Sequence, residues 1–189
     1  MLATDMSGTT TRRLRIAGWT LALGLLALPA VAMQFTSEVT WTSEDFLFAG
    51  VMFATVGGLF ELAARASRNL SYRMAILVAV ACPFLQLWIT LAVGIIGSED
   101  NPANWTYLAM VLMAISVSLV ALGKPRLMAR AMLSMVGMQA LFGFLHVIDG
   151  HFTLVIDFFF CALWYLSSQL FARAADHLDA AIEKLAPSP

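Results

Sequence analysis

The sequence predicts an all-α fold, a polytopic membrane protein of six transmembrane helices arranged as three antiparallel hairpins. Three observations predict it. Sixty per cent of the 189 residues are hydrophobic and 12% are charged, against about 25% charge in soluble domains, and the mean hydropathy is +0.82. The apolar residues gather into six runs, at about 16–35, 46–64, 73–97, 105–122, 127–148 and 152–172. Each is near the ~20 residues that cross ~30 Å of hydrocarbon at 1.5 Å per residue. Finally, all eleven Lys and Arg residues lie on one side of the six-run pattern.

Arg12, Arg13 and Arg15 precede run one, and Arg65, Arg68 and Arg73 separate runs two and three. Lys124, Arg126 and Arg130 sit in or beside the next such turn, and Arg173 and Lys184 follow run six. The alternate connections carry only acids: Glu38, Glu44 and Asp45, then Glu99 and Asp100, then Asp149. Basic connections stay in the cytoplasm, so both termini are expected there and the acidic connections outside. Short connections make successive helices antiparallel neighbours and leave no room for a soluble domain. Residues 1–189 therefore read as a single membrane domain with a cytoplasmic tail at 173–189. The net charge of −1 conceals this asymmetry. The basic residues are scattered over juxtamembrane positions suited to anionic headgroups, so the lipid bilayer is the expected partner and nucleic acid is not.

Run one follows Thr11-Arg12-Arg13-Leu14-Arg15 and ends beside Ala30-Val31-Ala32, which imitates a signal peptide and its cleavage site. Its apolar stretch continues to Phe35, longer than a signal core of about 7–15 residues, so the run is expected to stay as a helix. Ser43 precedes Glu44 and Asp45 as the expected N-cap of run two, with the acids where the helix dipole favours them. Within run two, Gly50, Ala54 and Gly58 recur every fourth residue and form a stripe for close helix packing. Near its inner end, Glu61 and Arg65 stand in the favoured i,i+4 order for a local pair.

Run three holds Gln86, whose amide needs a partner in hydrocarbon, and Pro83, which frees a carbonyl nearby. Cys82 and Cys161 lack metal or redox spacing and read as small buried residues. Asn101-Pro102 is a strong start for run four, and Gly123 followed by Pro125 ends it. Run five carries Gln139 near its middle and Met128, Met132, Met135 and Met138 on one face, expected for packing or lipid contact rather than for copper. Beyond run six, Leu178, Ile182 and Leu185 share one face of a short amphipathic helix.

The most distinctive stretch is Leu91–Trp105, LAVGIIGSEDNPANW. Together with Val31-Ala32-Met33-Gln34-Phe35-Thr36 and Val39-Thr40-Trp41, it resembles a segment found in a family of small bacterial multi-pass inner-membrane proteins. The resemblance covers most of runs one to five. It implies a bacterial inner-membrane location and carries no known reaction, ligand or partner. Where it implies a small or apolar residue in run six, this chain has Asp157.

Two clusters of candidate site residues stand out. Glu99 and Asp100, with Glu44, Asp45 and Asp149, supply the oxygen ligands a hard cation wants. The same acids suit capped, solvated turns, which is the reading taken. His146, Asp149, His151 and Asp157 lie within twelve residues around the last outward turn. His146 and Asp149 share a helix face, and Asp157 sits ~8 Å below the outer boundary of run six by helical rise. An ionisable group at that depth costs ~2.5 kcal/mol or more when unpaired. The two histidines and two carboxylates together could bind zinc or relay protons, or Asp157 could form a local pair with His146, and the pair is the reading taken. No two histidines face each other near midmembrane, as haem would require. No nucleophile–base pair or nucleotide motif is present, so neither an enzyme nor a cofactor is expected.

The leading functional expectation is a protein that acts by association, with itself or within a larger membrane complex. The alternative is a small cation or proton channel or transporter with an acidic outer mouth. Convergence of Gln86, Gln139 and Asp157 on one place would favour transport, and their scatter would favour association.

Overall fold

The chain folds where its hydrophobic runs, caps and glycines direct it. A computed structural model describes residues 8–37, 39–67, 69–98 and 100–185, with the side chains of 8–14, 63, 64 and 66 excepted. Glu38, Arg68 and Glu99 thus lie outside the described residues, as do the side chains of Arg12 and Arg13. Among the described residues there are six α-helices and no strand: α1 (Gly8–Ala32), α2 (Ser43–Ala66), α3 (Leu70–Ala92), α4 (Trp105–Ala121), α5 (Pro125–Ile148) and α6 (Leu154–Leu185). A 3₁₀ turn, Pro102–Asn104, leads into α4. Each helix, α4 with its leading turn, is long and apolar enough to cross a membrane. The helices belong to two compact units, one ending at Leu59 and one beginning at Phe60, so that the division falls within α2.

In the N-terminal unit α2 begins with a reciprocal cap. The Thr42 amide donates to Asp45 Oδ2 at 2.7 Å and the Asp45 amide donates to Thr42 Oγ1 at 3.3 Å. The capping residue is therefore Thr42, one position before the expected Ser43, because only Thr42 stands three residues ahead of an acid that can return the bond. α1 and α2 meet at small residues. A Cβ at Gly57 would lie 2.7 Å from the Trp19 ring, and one at Gly50 would lie 3.8 Å from Leu26. The expected Gly50–Ala54–Gly58 stripe is only partly used. Ala54 is exposed and nothing described would meet a Cβ at Gly58, since the Trp19 ring packs one position aside, on Gly57.

In the C-terminal unit, Asn69 caps α3 by accepting from the Tyr72 amide at 3.2 Å. The helix stops at Ala92, five residues before the expected end of run three. Gly94 (φ 72°) and Gly97 (φ 66°) turn the backbone into the left-handed region, where a helix cannot continue. Asn101 caps the 3₁₀ turn through the Ala103 amide at 3.0 Å. Asn104 then fastens the whole loop. Its Oδ1 accepts from the amides of Ile95 (3.0 Å) and Ile96 (2.8 Å), and its Nδ2 donates to the carbonyls of Ile96 (3.2 Å) and Ser98 (2.8 Å). Leu91–Trp105 owes its character to this clamp.

α3 packs on α4, α4 on α5, α5 on α6, and α6 closes the ring on α3. The interior is filled by Cys82, Met110, Met132, Met135, Phe160 and Trp164, among others. Met128, Met132 and Met135 are buried, so the methionine face packs inward. Ser167 donates to the Ala75 carbonyl (3.0 Å) and Ser168 to the Ala129 carbonyl (2.8 Å), tying α6 to α3 and α5. Both cysteines are free. α6 runs unbroken for 32 residues, so the amphipathic tail extends it instead of folding aside. There Arg126 grips Asp176 (3.1 Å) and Asp179 (2.6 Å). Along α6 the buried face includes Asp157, Ser167 and Ser168, while Val155, Phe158 and Leu166 are exposed. A soluble helix shows the reverse pattern.

Candidate functional site

The polar residues foreseen on three separate helices meet. α5 presents Gln139, Gly143 and His146 on one stripe, at i, i+4 and i+7. α3 brings Gln86, α4 brings Thr106 and Tyr107 from its first turn, and α6 brings Asp157 from its own. Gln86 and Gln139 are 0% exposed, Tyr107 is 1%, His146 3% and Asp157 4%. Gln86 Nε2 donates to Gln139 Oε1 at 2.7 Å, and Gln139 Nε2 donates to Asp157 Oδ1 at 2.7 Å. The Tyr107 hydroxyl donates to the same Oδ1 at 3.1 Å. Every donor in this chain points toward the carboxylate.

His146 borders the other side. Its Nδ1 lies 3.4 Å from the Tyr107 oxygen and 3.9 Å from Asp157 Oδ2, and its Nε2 lies 2.8 Å from Thr106 Oγ1. The expected pair with Asp157 therefore exists as a near contact bridged by Tyr107, not as one short bond. Asp157 Oδ2 and Gln86 Oε1 are buried and have no hydrogen-bond partner among the described residues. Such atoms are costly in a dry interior. Room for the carboxyl group comes from Gly143, where a Cβ would lie 2.7 Å from Oδ2 and 2.9 Å from Cγ.

One turn further along each helix the chemistry changes. Cys82, Met110, Met135 and Phe160, one from each helix, follow Gln86, Tyr107, Gln139 and Asp157 in turn, and all four are 0% exposed. A polar layer thus rests on an apolar one.

Each acidic candidate sits within its own unit. Asp45 is occupied by Thr42 in the N-terminal unit, where Glu44 is exposed, and Asp100 and Asp149 are exposed at their turns. His151 is half-buried, and its amide donates to the His146 carbonyl at 2.8 Å. Glu99 lies outside the described residues. Among the described residues no three His, Cys, Asp or Glu side chains come together as a metal would need. Glu61 holds Arg65 at 2.9 Å, as its spacing foretold.

Sequence reasoning missed Thr106, Tyr107, Gly143 and Asn104. Only Gly143 carried a usable signal, its place between Gln139 and His146 on one helical stripe. No protein-family model matches the chain, and no curated protein or solved structure is found similar to it.

Proposed function

We propose that this chain is a small transporter of the bacterial inner membrane that carries a proton or a small cation, with Asp157 as the carrying carboxylate. One observation carries the reading: α3, α4 and α5 each place a polar side chain in a hydrogen-bonded cluster on a carboxyl group of α6, and one carboxyl oxygen is left open. A purely structural aspartate in hydrocarbon needs one partner to offset ~2.5–3.5 kcal/mol. Contributions from four helices resemble a binding site more than a tether. Convergence is the arrangement that favours transport over association.

Eleven basic residues on one side of the pattern and none on the other support three antiparallel hairpins with both termini cytoplasmic. The polar layer then lies nearer the outer face, and the Cys82–Met110–Met135–Phe160 layer lies between it and the cytoplasm. Hydrophobic layers of this kind act as barriers to ions, so the arrangement suits a carrier exposed to one side at a time better than an open channel. The deciding experiment is flux. Purified protein in lipid vesicles should dissipate an imposed proton or cation gradient, and Asp157→Asn should reduce flux to that of protein-free vesicles while helix content is unchanged. Absence of flux in the native protein under every imposed gradient sinks the reading.

Association remains a second role for α2, because Ala54 is exposed and Gly58 opens on empty space among the described residues. Ala54→Leu should leave the monomer folded and dissolve any oligomer on a sizing column. An unchanged elution profile removes this second role.

A further inference from the structure

Resting on the transport reading, we infer that the species carried is a single proton, held between Asp157 and His146 Nδ1, and that Thr106 makes Nδ1 the exchanging atom. Thr106 Oγ1 lies 2.7 Å from the Ala103 carbonyl, to which it donates. A hydroxyl has one proton and a carbonyl has none. Held on that carbonyl, the Thr106 hydroxyl presents its lone pairs to His146 Nε2 at 2.8 Å, so Nε2 is the protonated nitrogen in this arrangement and Nδ1 the one left to gain or lose a proton.

That nitrogen looks into the site. With no proton on the pair, its lone pair faces the lone pairs of Asp157 Oδ2 at 3.9 Å, two acceptors opposed in a dry interior. With two, an imidazolium lies buried without a counter-charge. With one, the accounting closes: Nδ1–H turns to the Tyr107 oxygen, the Tyr107 O–H turns to Oδ1, and Gln139 donates to the same atom. Transfer along this path is balanced. The Nδ1 proton passes to the Tyr107 oxygen as the tyrosine proton passes to Asp157, leaving tyrosine neutral and one proton moved. The other titratable neighbours are Asp149 and His151 in the turn after α5 and Cys161 on α6, with Cys82 of α3 beside Cys161. None of these lies on the path.

A metal ion fits the same place poorly. Calcium and magnesium want about six or more oxygen ligands at about 2.0–2.6 Å. Here the groups bonded to the carboxylate are N–H and O–H donors, and the α5 backbone at Gly143 lies against the open oxygen.

The test is nitrogen NMR on the full chain carrying ¹⁵N-histidine, with His151→Gln and His177→Gln to leave His146 alone. As pH is varied, the Nδ1 signal should move between its protonated and bare positions in one single-proton step while Nε2 stays protonated. Thr106→Val should let both nitrogens exchange, and Asp157→Asn should abolish the Nδ1 step in that pH range. Titration at Nε2, two separate steps on the pair, or a silent Nδ1 each overturns the inference. Vesicle flux separates the two claims. A single Nδ1 step without flux keeps the proton site and removes transport, whereas metal-cation flux with a silent Nδ1 keeps transport and removes the proton.

Discussion

The carboxylate of Asp157 reaches its donors because α5 presents no side chain at position 143, where a Cβ would lie 2.7 Å from Oδ2. Both atoms sit in packed helices, so neither can give way cheaply. Gly143→Ala should cost ~1–3 kcal/mol by overpacking, read as a lower melting temperature in detergent. In an Asp157→Ala background the same change should cost less, because the two nearest atoms, Oδ2 and Cγ, are gone and only Cβ at 3.0 Å remains. Equal costs in both backgrounds would place the strain elsewhere. Asn104 makes a comparable test. Asn104→Ala strands two amides and two carbonyls, and an orphaned buried group costs about 1–3 kcal/mol. Asn101→Ala removes only a cap bond, worth ~1 kcal/mol. The melting temperature should therefore fall further for Asn104→Ala than for Asn101→Ala, and the reverse order would show that the loop does not hang on Asn104.

At the scale of elements, α6 joins the buried carboxylate at one end to an exposed ionic grip at the other. Arg126, Asp176 and Asp179 are 57%, 64% and 55% exposed at the side chain, so water and salt screen the grip and it adds little to stability. Arg126→Ala should lower the melting temperature only slightly, and the difference should vanish in high salt. A large, salt-independent loss would mean the arginine packs more than it pairs. All six helices were legible from hydropathy alone, since a run of ~20 apolar residues has few other readings. Their ends were legible where a side chain or glycine fixes them, as at Asn101 and Gly123. The end of α3 was not, because Ile95-Ile96 keeps the run apolar past the point where Gly94 turns the chain. Within the site, Asp157, His146, Gln86 and Gln139 announced themselves as polar groups in apolar runs. Tyr107 did not, because tyrosine is ordinary near a membrane interface and only the fold reveals that its hydroxyl points inward.

For the whole molecule, the eleven-to-zero division of basic residues makes a direct forecast. Cytoplasmic reporters fused after Arg68, Lys124 or Lys184 should be active, and the same reporters after Ser98 or Gly150 should be silent. An active reporter at Ser98 would overturn the six-span arrangement.

The oily residues of α6 look outward, and its hydroxyls and carboxylate look inward. A water-soluble fold comes apart when its surroundings become kinder to hydrocarbon. Helices long and apolar enough to cross a membrane would meet such surroundings in lipid, where no expelled water presses helices together. What holds them is close packing of the interior and a set of addressed bonds, Ser167 to Ala75, Ser168 to Ala129 and Gln86 to Gln139 to Asp157. Agents that bid for those addresses should part the helices without uncoiling them, since each backbone keeps its own ladder. Titrated with an anionic detergent, the protein should lose the near-ultraviolet signature of buried Trp164 while its far-ultraviolet ellipticity scarcely changes.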